Sequence, residues 1–246
     1  MSANLTATAN QIINRVAVET GLPPSSDAYS SQDEAFRQMQ YLINICGEEL
    51  TQLYPWEFLS KQAEINTDPT DSGDYDLPDD FLYMLNQTGW DRTNNVPLFG
   101  PISAQQWQYL LGRDLVTETI YASYRIKGGQ IAIFPQPPKG NIDIFYEYTS
   151  RNWVIDALTG TTEKSEVTAG GDIPMFNYTL ISRLLKVKFL EAKGFDTAKA
   201  QDDFNQQFQL LTAHDKSAPK LNAGRARGAF PYLNGFTSTP DSGYGF

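Results

Sequence analysis

The apolar residues of this chain follow a helical spacing near both ends and a two-residue spacing in the middle, and this order limits the fold more than any other feature. Apolar residues recur every three or four positions at 33–53, with a shorter pattern at 4–20, which is typical of amphipathic helices. A second wide apolar face follows Pro174, and Gly194 is placed to end it. Apolar and polar residues alternate at 142–149, which predicts a strand. The sequence therefore predicts an α+β fold.

Capping residues set the expected starts of three helices. Ser31 and Glu34 have the spacing of a capping box before the helix at 33–53, and Ser103 and Gln106 repeat it before a short helix. Asp196 is expected to cap the last helix.

Turn residues divide the β-rich middle. Residues 61–67 alternate and predict a strand. Two further strands, 121–127 and 130–134, flank the pair Gly128 and Gly129, which is typical of a two-residue hairpin loop.

These elements predict a helical bundle built from the N-terminal and C-terminal helices, with a β-rich insertion and an extended C-terminal tail. Within the insertion, 156–173 reads as an acidic loop rich in glycine and threonine. The expected segments are N-terminal bundle helices at 1–66, the β-rich insertion at 67–173, C-terminal bundle helices at 174–213 and the tail at 214–246.

The composition excludes several classes of function. Cys46 is the single cysteine and His214 the single histidine, so an intramolecular disulfide, a cysteine zinc site and a histidine-pair metal site are excluded. Neither Gly-Gly pair is followed by the spacing of a phosphate-binding loop. No apolar run approaches the roughly 20 residues of a membrane span. We therefore expect no cofactor, no metal and no membrane partner.

Charge is distributed unevenly. The chain carries 29 acidic and 19 basic residues, and residues 1–80 hold 14 of the acids against three cations. General nucleic-acid binding needs clustered cations, which an acidic chain lacks. The tail reverses the sign, with four cations against Asp215 and Asp241.

The tail also combines cations with aromatic residues, a combination that a passive disordered tail rarely has. We expect it to dock on a partner through two arginines and five aromatic side chains. These candidate docking residues are Arg225, Arg227, Phe230, Tyr232, Phe236, Tyr244 and Phe246.

No catalytic set stands out among the other polar residues. Glu57, Asp79, Asp80 and Glu147 are candidate carboxylates for glycoside hydrolysis, but a chain with 29 acids supplies such candidates by chance. The acids of 68–76 lack the spacing of an EF-hand loop and favour a solvated turn.

Three other features favour structural roles. His214, just past the last predicted helix, favours an interaction with that helix's C-terminus. Cys46 lies on an apolar stripe and is expected in the core. Four tryptophans, which would suit a carbohydrate platform, are irregularly spaced and favour burial. They are Trp56, Trp90, Trp107 and Trp153.

An ordered series of short segments resembles the head-to-tail adaptor proteins of short-tailed bacteriophages, the tail-accessory or tubular-tail ring proteins beneath the portal. The series is YDLPDDF at 75–81, WDR at 90–92, VPL at 96–98, SAQQW at 103–107, YRIKGGQIAIFP at 124–135, FYEY at 145–148, Trp153 and KGFD at 193–196. It spans roughly half of the chain, and the order and spacing of the segments carry the resemblance.

The resemblance implies a structural protein of the virion, assembled in the host cytoplasm. It implies a dodecameric ring of adaptor subunits docked under the portal protein, with the tail reaching the portal. The β-rich insertion would receive tail fibres or the nozzle, and genome DNA would only pass through the channel. Such proteins are in general not enzymes.

Two other classes of function stay open at this point. A phage cell-wall hydrolase would use the candidate carboxylates, and a carbohydrate-binding or fibre-docking module would use the tryptophans and strands.

Overall fold

A computed structural model of the chain describes residues 6–112, 122–138 and 140–215. Within these ranges the helices are α1 (Ala9–Glu19), α2 (Glu34–Leu53), α3 (Ala104–Gly112), α4 (Tyr178–Ala192) and α5 (Ala198–Asp215). The strands are β1 (Ser60–Asn66), β2 (Asp74–Asp76), β3 (Phe81–Met84), β4 (Trp90–Asp91), β5 (Val96–Pro97), β6 (Ser123–Lys127), β7 (Gln130–Phe134), β8 (Asp143–Ser150), β9 (Val154–Ile155), β10 (Glu163–Lys164) and β11 (Ile173–Pro174).

Helices from both ends of the described chain pack into one bundle. Helix α4 contacts α1, α2 and α5. Their shared core includes Ile12 of α1, Met39 of α2, Leu180 of α4 and Phe204 of α5, all buried. The predicted α+β class, with a bundle made from N-terminal and C-terminal helices, is confirmed.

Two antiparallel sheets build the β-rich part. One sheet has the order β1-β8-β4-β5, with β3 also paired to β8, and the other has the order β2-β7-β6. Apolar side chains from both sheets share one core, in which Ile65 and Ile144 of the first sheet join Tyr124, Ile131 and Ile133 of the second. The alternation at 142–149 is confirmed, because Ile144, Tyr146 and Tyr148 are all buried.

Strand β7 is buried on both faces. Ile131 and Ile133 face the core between the sheets, whereas Ala132 and Phe134 pack with Trp107 of α3. The predicted hairpin is confirmed: β6 pairs with β7 across Gly128 and Gly129, whose φ angles are 57° and 80°. Positive φ at both positions is the geometry that a tight hairpin turn requires.

Two expectations about helix ends are wrong. The cap of α2 is Asp33 rather than Ser31, because the Asp33 side chain accepts a hydrogen bond from the N–H of Ala35 at 3.0 Å. His214 lies within the last turn of α5, not beyond it. In contrast, Ser103 and Gln106 exchange the two hydrogen bonds of a capping box, as predicted.

The segment expected as a loop at 156–173 is partly ordered into a small sheet. Strands β10 and β11 both pair with β9. The Tyr29 hydroxyl donates to the Val167 carbonyl at 2.7 Å, and the Asn44 side chain bonds the backbone of Val167 in both directions. A sheet of two-residue strands is not stable alone. These bonds to Tyr29 and to Asn44 of α2 therefore help to hold the segment in place.

Candidate assembly surfaces

The tail residues predicted from the sequence lie outside the described part of the chain. This holds for Arg225, Arg227, Phe230, Tyr232, Phe236, Tyr244 and Phe246. Their docking role stays a prediction.

The carboxylate of Asp172 organises the segment between β9 and β11. It is fully buried, and its oxygens accept hydrogen bonds from Lys164 Nζ at 2.7 Å and from the N–H groups of Ala157, Thr168 and Ala169 at 3.1, 2.8 and 2.8 Å. Burial opposes its ionisation, but these donors win and lower the pKa of Asp172 to about 2. Since the Asp172 carbonyl also accepts the N–H of Ala9, the segment is bonded to the first turn of α1.

One apolar side chain stands out on this segment. Leu158 is 95% exposed at the tip between β9 and β10. The Asp156 carboxylate accepts the N–H groups of Leu158 and Thr159, both at 3.2 Å, and pairs with Lys164 at 2.9 Å. These contacts form the turn at which Leu158 faces solvent.

A groove of about 520 Å³ runs between α2, α4 and α5. Leu53 and Phe208 supply exposed apolar surface, and the buried Leu184, Val187 and Phe204 lie beneath it. The rim consists of amides and charged groups, namely Gln52, Gln201 and Asn205 with Glu49, Lys188 and Glu191. Lys188 and Glu49 pair at 2.6 Å, and Glu191 gives the rim an excess of one acid.

A smaller polar pocket of about 140 Å³ lies between α1, α4 and α5. Glu19 accepts from Arg15 Nε and Lys186 Nζ, each at 3.1 Å. Burial opposes ionisation of Glu19, but these two cations lower its pKa. The pocket thus joins α1 to α4 through a shared carboxylate.

The candidate catalytic carboxylates have structural or solvent-exposed positions. Asp80 accepts hydrogen bonds from Lys61 Nζ, the Tyr148 hydroxyl and the Ser150 hydroxyl at 2.7, 2.8 and 2.8 Å. Burial opposes ionisation of Asp80, but these donors lower its pKa. These three donors hold the carboxylate of Asp80, just before β3, against β1 and β8. Glu57, Asp79 and Glu147 are exposed.

The tryptophans do not form a binding platform. Trp56 and Trp153 lie in the helical core and Trp107 packs against Phe134, and each is at most 3% exposed. Trp90 on β4 is half-buried. Burial, the interpretation that the sequence favours, is confirmed for the first three. Cys46 is also in the core, as expected.

In the turn before β2, Asp71 accepts hydrogen bonds from the Tyr75 hydroxyl and from the N–H of Asp68. Among the residues that the structure describes, no group of three or more histidine, cysteine or acidic side chains is placed to hold a metal ion. Within the same residues, no helix is long and apolar enough to cross a membrane.

Leu158 at its tip and the groove between α2, α4 and α5 are thus two candidate contact surfaces. Comparison with known families gives the class directly: a family model described as SU10 adaptor protein matches residues 7–228. The chain belongs to this family of phage head–tail adaptors. A search of curated proteins found no match.

Membership in this family gives the protein a coarse role. It is a phage adaptor, a component of the virion that associates with other head and tail proteins, and the family is structural rather than catalytic. The resemblance to phage head–tail adaptors inferred from the short segments is confirmed.

Proposed function

We propose that copies of this chain form a dodecameric ring beneath the portal protein, extend the DNA channel and provide the attachment site for the distal nozzle or fibre proteins. The observation that carries the proposal is the family match, which covers the described bundle and sheets and continues to residue 228.

In this proposal the segments divide the work. Helices α1, α2, α4 and α5, with the segment 153–173 that packs on them, form the ring body, and the two sheets built from β1 to β8 face the distal tail proteins. The tail of 214–246 binds the portal. The acid–cation imbalance supports this division: residues 1–215 hold 28 acids against 15 cations, whereas 216–246 hold four cations and one acid.

The acidic body suits a channel through which DNA passes without being retained. Like charges on the wall and on the phosphates disfavour binding during ejection. Genome DNA is therefore proposed as a passing molecule rather than a ligand.

The tail residues that carry portal binding are proposed to be two arginines, which pair with carboxylates, and five aromatic anchors. They are Arg225, Arg227, Phe230, Tyr232, Phe236, Tyr244 and Phe246.

Truncation tests the role of the tail, and the structure fixes where to cut. Helix α5 continues to Asp215, whose carboxylate accepts the N–H of Glu57 at 3.1 Å. A chain that ends at Asp215 keeps this contact, and we expect it to fold but not to cosediment with portal rings. Stoichiometric cosedimentation of the truncated chain would refute the portal-binding tail.

Point variants test whether portal binding depends on the two arginines themselves or only on the net charge of the tail. Replacing Arg225 and Arg227 with serine is expected to weaken portal binding, measured as the fraction that cosediments. Replacing Lys216 and Lys220 with serine removes the same charge and serves as the matched control. Equal losses in both variants would indicate that net charge alone accounts for binding.

A further inference from the structure

We propose that neighbouring adaptor subunits contact each other by inserting Leu158 of one copy into the groove between α2, α4 and α5 of the next. This inference rests on the ring proposed above and names the surfaces that build it. The occupant of the groove is a second copy of this chain.

A ring of identical subunits requires two different surfaces on each subunit. Contacts that close a ring by rotation are heterologous, so a patch on one copy meets another patch on its neighbour. The tip around Leu158 lies between β9 and β10, whereas the groove is lined by α2, α4 and α5. The two surfaces share no residue, as a heterologous contact needs.

Charge favours this pair of surfaces. The body carries a large excess of acids, so most faces of two copies repel each other. Six consecutive uncharged residues, ALTGTT at 157–162, form the tip. In the groove Lys188 pairs with Glu49, so Glu191 leaves the lining with an excess of only one acid. Two acidic copies can therefore approach at these surfaces with little charge repulsion.

Shape and polarity also correspond. The incoming leucine contacts Leu53, which is 54% exposed, and the partly exposed Phe208, and a groove of about 520 Å³ has room for the flanking residues of the tip. Threonine hydroxyls beside Leu158 match the amides of the rim, such as Gln201 and Asn205.

The tip is ordered before it binds. Asp156 holds the N–H groups of Leu158 and Thr159, and Lys164 joins Asp156 to the buried Asp172. A side chain presented on a fixed backbone loses less conformational entropy on binding, which favours it as an anchor. A single exposed leucine is common on protein surfaces. Leu158 differs from such a residue because its backbone is hydrogen-bonded and the tip around it is uncharged.

Paired cysteines test the contact in the assembled ring. The full-length chain with Leu158→Cys and Leu53→Cys is assembled on portal rings and treated with a short bismaleimide. We expect a ladder of covalent oligomers, because each double-variant subunit can be linked to both neighbours. When the two single variants are mixed, each subunit has one introduced cysteine, so only dimers should form. The native Cys46 is fully buried and does not compete. Phe99 lies on the β-rich part and is 66% exposed. The matched control therefore combines Phe99→Cys with Leu53→Cys and should give no ladder.

The outcomes separate this contact from the ring itself. A ring seen by electron microscopy without a covalent ladder would overturn the contact and leave the ring proposal standing. Failure to form any ring would overturn both.

A charge at the same position gives an independent measurement. Because Leu158 contacts solvent in the subunit, Leu158→Asp is expected to fold normally but to lower ring occupancy on the portal about tenfold, the effect of losing one buried leucine. Phe99→Asp is the control and should assemble normally. Equal assembly of both variants would contradict the contact.

Discussion

Gly47 of α2 lies directly against the indole ring of Trp153, so close that a Cβ on residue 47 would overlap the ring. Trp153 precedes β9 and is buried among the helices. This contact joins the bundle to the segment that carries Leu158, and it requires the smallest side chain in the middle of a helix. Glycine is otherwise unfavourable there by about 1 kcal/mol relative to alanine.

Replacing Gly47 with alanine is therefore expected to destabilise the protein, although alanine has the higher helix propensity. Overpacking against Trp153 should lower the free energy of unfolding by about 1–3 kcal/mol. Urea denaturation followed by tryptophan fluorescence measures it. Gly112→Ala, at the end of α3, is the control because a Cβ at residue 112 would meet no atom within 4 Å, and it should be neutral or slightly stabilising. A stabilised Gly47→Ala variant would contradict the close packing.

Asp172 should give the protein a specific acid sensitivity. Its pKa is about 2 in the folded protein and near 3.9 in an unfolded chain. Because the folded value is depressed, its stabilisation is complete above about pH 4 and is lost as pH falls from about 4 to about 2. Asp172→Asn should lower the free energy of unfolding at pH 7 by roughly 2 kcal/mol and flatten the pH dependence in that window.

Chemical denaturation of both proteins between pH 2 and pH 7 checks the role of Asp172. The exposed Asp202 on α5 provides a matched acid-to-amide control, since Asp202→Asn should leave the profile unchanged. Parallel profiles for the wild type and Asp172→Asn would show that the carboxylate does not stabilise the fold.

The hydrogen bond from Tyr148 to Asp80 predicts a coupled pair. Burial and the neighbouring Asp80 raise the pKa of the Tyr148 hydroxyl, so it stays protonated and donates to Asp80 in alkaline solution as well as at neutral pH. Tyr148→Phe should cost about 1 kcal/mol, and the double variant with Asp80→Ala should cost less than the sum of the single changes. A thermal or urea double-mutant cycle measures the coupling. Strict additivity would mean that the bond contributes nothing.

Cys46 predicts a simple probe of unfolding. Its thiol is fully buried, and burial raises its pKa, so the reactive thiolate is suppressed. We expect negligible reaction with a thiol reagent in the native protein and complete reaction in denaturant. Reaction of the native protein at the rate of a free thiol would contradict the described packing of α2.

The main elements could be predicted from the sequence because their signals are local. The apolar stripe of α2, the Gly128–Gly129 hairpin and the alternation of β8 each follow from a short stretch of chain. The cap of α2 was predicted at the wrong residue because Ser31 and Asp33 both have suitable side chains, and only the backbone geometry decides between them.

The candidate surfaces could not be predicted in the same way because they depend on distant residues. The groove forms only where α2 packs beside α4 and α5. More than 100 residues of the chain separate α2 from these two helices. The position of Leu158 depends on Asp156 and Asp172 acting together. Its only local signal is a lone leucine in a segment rich in glycine and threonine, which by itself suggests no function.

The ring beneath the portal is tested most directly by mixing the full-length protein with portal rings from the same phage and imaging the complex by electron microscopy. We predict one coaxial ring of fixed stoichiometry stacked on each portal, with twelvefold symmetry. Folded protein that leaves the portal rings bare, or binds them singly without forming a ring, would contradict the account.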